Sequence, residues 1–451
     1  MKFKYTYALL LIIINSAFAQ IDTALSNQFQ QYLEDQKTYY GDYGIAATVI
    51  MPNGDSWNGS VGVDPSGNEI TDTSLFYGAS TLKVYVASTI LLLQQNGQLG
   101  LNDPYTQYIA PITNADTNIT IRQLLNHTSG NFNFVDNSSF LSSIIGNPTQ
   151  IYQPGDALTT FFNQGAYFVP GGGWHYSNSN YVILAMIIES VTGNTLQTEL
   201  RNRFWTPLGM THTYLGVFES YTEPIAGLWA DPTSSGSLTD FNSVSHNSIL
   251  SVGWGTMSIV TTPSDEAIFI RALMSGQVLA DSSLQQMMYW VDHSSFSTFL
   301  YDYDYGLGLE REIHFSGDTL VGHSGDLGNI TYMFHSISNG YTIVTMTNSE
   351  VTNPKYAFNL IHQLIHNSLI TTNVNNSKKD INIKIYPNPV SDLLYINSDI
   401  QISSVSVMNL SGQVVLDKGY SDVIDVSSLP NGIYILKCST SLCTHTRKFI
   451  K

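Results

Sequence analysis

Cysteine is almost missing from this chain: its 451 residues include only Cys438 and Cys443. That excludes a disulfide-stapled scaffold and a cysteine-ligated metal centre. Positive charge is scarce as well, with 18 Lys and Arg against 35 Asp and Glu and a formal net charge of −17. Such a balance argues against binding nucleic acid or an anionic membrane surface, since both need clustered lysine and arginine. No stretch after the first residues reaches the ~20 apolar positions of a spanning helix. The pentapeptide Gly-x-Ser-x-Gly does not occur, which removes the nucleophile elbow of an α/β-hydrolase. No repeat at solenoid spacing is evident either.

One of the scarce lysines stands in an expensive place. Lys83 follows Ser80 by three positions in Gly78-Ala79-Ser80-Thr81-Leu82-Lys83 and directly precedes the apolar run Val84 to Leu93. Burying an ammonium is costly unless a partner takes it. In a helix, positions i and i+3 share a face, so the amine lies beside the serine hydroxyl at the helix N-terminus. There the backbone dipole also favours developing negative charge. A serine can be activated in this way without histidine. The bland alternative is a capping serine and a lysine snorkelling to water. About one such spacing is expected by chance in a chain this long, so the rest of the sequence has to decide.

The start of the chain predicts a signal peptide over 1–19. Lys2 and Lys4 precede the apolar stretch Ala8 to Ile14, and Ala17-Phe18-Ala19 forms a small-x-small cleavage site before Gln20. The mature protein is therefore expected outside the cytoplasm. Gly44 to Met51, the turn Pro52-Asn53-Gly54-Asp55 and Ser56 to Val63 predict a β-hairpin; Asn329 to Ser336 and Tyr341 to Thr347 predict another. Helices are expected from Ser80 to about Asn96, from Tyr181 to Val191 and from Pro354 to Leu369. Strands at both ends with helices between them predict an α+β domain over 20–370 whose terminal segments share one antiparallel sheet. Thr371 to Asp380 reads as a polar linker, and 381–451 has the short alternating strands of a small β-sandwich. Cys438 and Cys443 flank four residues there. If a hairpin opposed them, their Cα atoms would approach to roughly 4.5–5.5 Å, so a disulfide is one of two open outcomes.

Two further segments raise the first motif above chance: Pro170-Gly171-Gly172-Gly173-Trp174-His175-Tyr176-Ser177-Asn178, and Gly322-His323-Ser324-Gly325-Asp326-Leu327-Gly328. Ser80/Lys83, Tyr176/Asn178 and His323-Ser324-Gly325 stand in the order used by the penicillin-recognising serine hydrolases. Leu124-Leu125-Asn126-His127-Thr128-Ser129-Gly130 and Pro207-Leu208-Gly209-Met210 fit as well. Over about 25–370 the chain resembles the class C β-lactamase, D-alanyl-D-alanine carboxypeptidase and esterase branch. The resemblance implies a β-lactamase/transpeptidase-like α+β fold, an antiparallel sheet flanked by helices with a helical subdomain.

It also implies roles. Ser80 is the expected nucleophile, with Tyr176 and Lys83 as a coupled base, since neither is a good base near neutrality unless its neighbours shift it. Asn178 is expected to hydrogen-bond Lys83 and the substrate amide, while His323 and Ser324 border the cleft. Gly325 lets the backbone approach the substrate. The N–H groups of Ser80 and Asp326 are the implied oxyanion hole. No cofactor is expected. His362 and His366 have i, i+4 spacing, but a solvated helix face is the plainer reading than a metal site; His127 reads as a structural loop residue. Histidine at 323, in place of a strand lysine, and the carboxylate of Asp326 both weaken the case for penicillin hydrolysis. They leave a carboxypeptidase, a D-aminopeptidase or an esterase open, against the alternative of a non-catalytic penicillin-binding or cell-wall-binding protein.

The tail has its own resemblance. Ile385-Tyr386-Pro387-Asn388-Pro389, Leu410-Ser411-Gly412, Leu429-Pro430-Asn431-Gly432-Ile433-Tyr434 and Arg447-Lys448-Phe449 look like the C-terminal sorting domain of type IX secretion in Bacteroidetes. This implies the secretion machinery as a partner and a secreted or outer-membrane-surface location.

Overall fold

The structure is a computed structural model. It describes residues 21–376, apart from 42, 232–237, 242–244, 292–302, 315 and 353–354, and residues 383–451, apart from 399–401, 403, 410–413, 420 and 440–443. The signal segment read at 1–19 lies outside the described residues. The chain divides into two compact units after His366.

The first unit is built on a seven-stranded antiparallel sheet. Its order is Ser56–Val61, Ile45–Ile50, Thr342–Thr347, Ile330–Ser336, Thr319–Asp326, Glu310–Ile313 and Tyr303–Tyr305. The predicted hairpins form, and strands from the two ends of the domain pair at its centre, Ile45 opposite Thr347 and Ile50 opposite Thr342. Every residue of Ile45–Ile50 and of Thr342–Thr347 is buried, so the sheet is covered on both faces. Register sorts those faces. Trp57, Val49, Ile343 and Phe334 lie in one row across the strands; Phe29 of the helix Thr23–Tyr40 stands 5.3 Å from Trp57, and Phe358 of the last helix 6.0 Å from Phe334. The opposite face, with Ala46, Met333, Val344 and Met346, belongs to the main core with Phe269, Ile270 and Leu273 of the helix Pro263–Met274.

That core surrounds the helix Leu82–Gln95, on which eleven residues are buried, Lys83 among them. A helix apolar on all sides belongs inside a protein, and this one packs against Asn178–Thr192 and Asn247–Met257. Two of the expectations for the last helix change. It runs Lys355–Asn376, through the first part of the stretch read as a linker, because extending an existing helix costs far less than starting one. His362 is not on a solvated face: it is fully buried, with Nδ1 2.6 Å from the Tyr341 hydroxyl and Nε2 3.1 Å from Ser316 Oγ.

The second unit contains a three-stranded and a four-stranded antiparallel sheet. Buried positions alternate with exposed ones along Leu393–Ser398 and with half-buried ones along Ser404–Met408, and Leu394, Ile396, Val405, Val407, Leu436 and Phe449 share one core. Cys438 is buried and lies opposite His445 in the ladder; Cys443 is outside the described residues.

Candidate functional site

Ser80 sits in a 3₁₀ turn, Ala79–Thr81, that opens the helix Leu82–Gln95. Ala79 has φ of 52°, a left-handed conformation that costs a residue with a side chain of order 1–3 kcal/mol and survives only where its surroundings enforce it. Here they do. Gly78 N–H donates to Ile259 O at 2.9 Å, Thr81 Oγ1 donates to Glu266 Oε1 at 2.8 Å, and Asn329 Nδ2 donates to Tyr77 O at 2.7 Å. The strand Thr319–Asp326 closes on the turn so tightly that a Cβ on Gly325 would lie 2.2 Å from Gly78 O. Glycine is required at 325 for contact with the turn itself.

Lys83 is fully buried, with Nζ 2.8 Å from Ser80 Oγ and 3.0 Å from Thr256 O. Thr256 lies in the last turn of Asn247–Met257, whose carbonyls have no partner within the helix, and the amine fills that vacancy. Burial holds the Lys83 amine well below the ordinary lysine pKa, and the Glu310 carboxylate pulls weakly in the opposite direction. Its nitrogen stands 5.0 Å from the centre of the Tyr176 ring. The structure thus gathers Ser80, Lys83 and Tyr176. Asn178 departs from expectation: its Nδ2 donates to Asn133 Oδ1 at 3.2 Å, and the Thr256 carbonyl takes the place beside Lys83 that was assigned to it.

His323 is buried with Nδ1 2.5 Å from Ser324 O, an acceptor only, so Nδ1 carries the proton and the Tyr305 hydroxyl donates to Nε2 at 3.0 Å. Burial above all, with the nearby Lys83 acting in the same direction whenever it is protonated, pushes its pKa down to about 3, so the ring is neutral at ordinary pH. Ser324 donates its N–H and hydroxyl to Glu310, at 2.9 and 3.0 Å. Asp326 is exposed, its Oδ1 accepting from Gly328 N–H at 3.0 Å.

Two residues at the site, Glu310 and Thr256, went unseen in the sequence, and a third, His127, was read there as a structural loop residue. Glu310, on the neighbouring strand, is 5% exposed and its carboxyl is pushed up to about 7 by burial. Thr256 contributes a backbone oxygen, which no motif marks. His127 is fully buried 4.3 Å from the Tyr176 ring, with Nδ1 accepting from Ser177 N–H at 3.1 Å. Its placement inside the motif Asn126-His127-Thr128-Ser129-Gly130 was the signal in the sequence, and in the structure its φ of 62° is left-handed.

A cavity of about 680 Å³ opens on these groups, its walls including Ser80, Tyr176, Asn178, Glu310, His323 and Tyr332. Among the described residues no cluster of His, Cys, Asp or Glu is arranged to hold a metal ion.

Beneath the turn, Glu266 is fully buried and accepts from Thr81 Oγ1 and from the Tyr85 hydroxyl, the latter at 3.2 Å. Burial pushes its carboxyl up to about 8. The folded state therefore holds a proton that the unfolded chain releases near 4.5. This contribution to stability is complete below about 4.5 and is lost as pH rises towards 8. Glu266→Gln is expected to flatten the decline in melting temperature over that range; an unchanged slope would contradict the buried acid.

Residues 29–367 match the family model described as beta-lactamase, and 384–451 match the secretion system C-terminal sorting domain. Penicillin-binding protein 4* of Bacillus subtilis is 28% identical over 293 residues, 61% of this chain and 61% of its own length. The chain thus spans about three fifths of the curated relatives it matches first. Among solved structures, a D-stereospecific amidohydrolase from Streptomyces sp. superposes with a TM-score of 0.65 at 26% identity, covering 75% of this chain and 97% of that one. The D-amino acid amidase of Ochrobactrum anthropi SV3 superposes at 0.68 and 24% identity over 77% and 100%, a likeness of fold. No described helix is long and apolar enough to cross a membrane. The chain belongs to the beta-lactamase family of serine hydrolases and carries a type IX sorting domain that directs it to the cell surface or beyond.

Proposed function

We propose that this protein hydrolyses amides or esters through an acyl-enzyme at Ser80, with the hydrolase over 20–370 and the sorting domain over 381–451. One observation carries the reading: the Ser80 hydroxyl lies 2.8 Å from a fully buried amine held below its ordinary pKa. A neutral Lys83 donates one N–H to Thr256 O and turns its lone pair to the Ser80 hydroxyl. As Oγ bonds to the substrate carbonyl carbon, its proton passes to the Lys83–Tyr176 pair and from there to the leaving amine or alcohol. The oxyanion faces the N–H groups of Ser80 and Asp326. Water then attacks the ester, the pair takes its proton, and Ser80 regains its own.

The test is intact mass after incubation with a fluorescent penicillin and, separately, a p-nitrophenyl ester, for wild type and Ser80→Ala. An adduct or turnover confined to wild type is the expected result; equal labelling of both, or neither labelling nor turnover in wild type, would overturn it. Tyr176→Phe is expected to slow turnover by roughly 100-fold, the scale of lost proton transfer. A near-wild-type rate would remove Tyr176 from the proton path.

A further inference from the structure

We propose that the cleft selects its acyl donor by charge: a primary ammonium on the substrate is held against a carboxylate wall formed by Glu310, Glu312, Asp326 and Glu350. This inference rests on the Ser80 reading above and gives it a substrate class, aminoacyl amides and esters with a free amino group.

All four carboxylates line the one cavity that also contains Ser80. Its possible counter-charges are already committed or neutral. Lys355 Nζ pairs with Glu312 Oε1 at 2.9 Å and lies 4.6 Å over the Tyr332 ring. Lys83 is turned to Ser80 and Thr256, and the His323 ring is uncharged. No arginine lines the cavity among the described residues. A substrate carboxylate, such as that of a penicillin, would therefore meet a wall richer in carboxylates than in cations, its one lysine among the described lining residues, Lys355, being already paired with Glu312.

A second, independent observation points to a donor. Asn178 is 7% exposed and lines the same cavity, and its Oδ1 is buried without a hydrogen-bond partner. A buried acceptor left unmatched is costly, and an N–H from the ligand satisfies it. Glu310 shows the same need in another form. Its carboxyl is pushed up to about 7 by burial although both oxygens already accept from Ser324. An ammonium arriving beside it restores the ionised state and gains a charge-assisted hydrogen bond.

The experiment compares D- and L-alanine p-nitroanilides with their N-acetyl forms on the full chain. It also measures binding of alaninamide and N-acetylalaninamide to Ser80→Ala by calorimetry. The free amine is expected to be favoured at least about tenfold in kcat/KM, mainly through KM, and by a similar factor in binding. Glu310→Gln is expected to erase most of that preference, and Glu350→Gln, at the exposed rim, to reduce it. Equal or better use of the acetylated compounds, or their equal binding to Ser80→Ala, would overturn the charge selection. The two readings separate cleanly. Amine-selective binding to Ser80→Ala without any turnover in wild type would leave this inference standing and sink acylation. Acylation by a penicillin or ester without amine preference would do the reverse.

Discussion

Lys83→Ala should lower turnover by roughly 10²- to 10⁴-fold, the range of a lost general base. The fold should survive, because removing a desolvated amine from the core relieves a cost even as Thr256 O loses its donor. The discriminating variant is Lys83→Arg. It sets a permanent positive charge next to Ser80 and cannot release a proton, since guanidinium stays charged at any working pH. If the amine acts as a base, arginine is as inactive as alanine; if it serves only as a fixed charge, arginine retains much of the rate. The pH profile offers an independent check. Burial lowers the pKa of Lys83, so kcat/KM should rise with pH through that lowered value and be lost in more acidic solution. A profile that rises only near the ordinary lysine range would contradict a neutral Lys83. Circular dichroism of each variant separates lost chemistry from lost structure.

Gly325→Ala should be nearly as damaging, although it adds one methyl group and removes no functional atom. The new Cβ would lie 2.2 Å from Gly78 O and 3.2 Å from Ala79 Cβ, both in the turn that holds Ser80. Neither is the flexible end of a side chain. The strand Thr319–Asp326 must move away, taking His323 and Ser324 with it and widening the gap where the substrate carbonyl would sit. A displacement of about 1 Å can cost about 100-fold in rate, and overpacking typically costs 1–3 kcal/mol in stability, roughly the effects expected here. Gly146→Ala is the matched control: a Cβ there meets nothing within 4 Å, so rate and melting temperature should hold. Unchanged kinetics in Gly325→Ala would mean that the cleft tolerates a wider approach than the geometry allows.

What could be read in advance followed from how local each signal was. Ser80 and Lys83 sit one helical turn apart, so spacing alone brought them together. The hairpin around Pro52-Asn53-Gly54-Asp55 and the alternation in Ser404–Met408 are likewise short-range patterns, and both formed. Glu310 and Thr256 could not be read that way. Thr256 reaches Lys83 from 173 residues away and offers only a carbonyl, a group every residue possesses. Glu310 becomes a buried acid only once its strand lies beside Thr319–Asp326 and the cleft closes around it. The hydrogen bond expected between Asn178 and Lys83 did not form for the same reason: packing placed Asn133 within reach of Asn178 instead. His362 was read as lying on a solvated helix face and is instead buried against Tyr341 and Ser316, which come from distant segments.

The pairing at the middle of the sheet has a consequence for how the chain is made. Gly44 N–H donates to Asn348 Oδ1 at 2.7 Å across 304 residues, and the adjoining strands, Ile45–Ile50 after Gly44 and Thr342–Thr347 before Asn348, pair along their full length. Until Thr342–Thr347 leaves the ribosome, Ile45–Ile50 has an open edge and nothing to close it. Nearly all of the catalytic unit is therefore synthesised before its centre can assemble, which predicts slow, late folding dominated by distant contacts. A nascent chain stopped short of Thr342 would present a bare apolar strand to its neighbours, an invitation to aggregate that holding chaperones would need to cover.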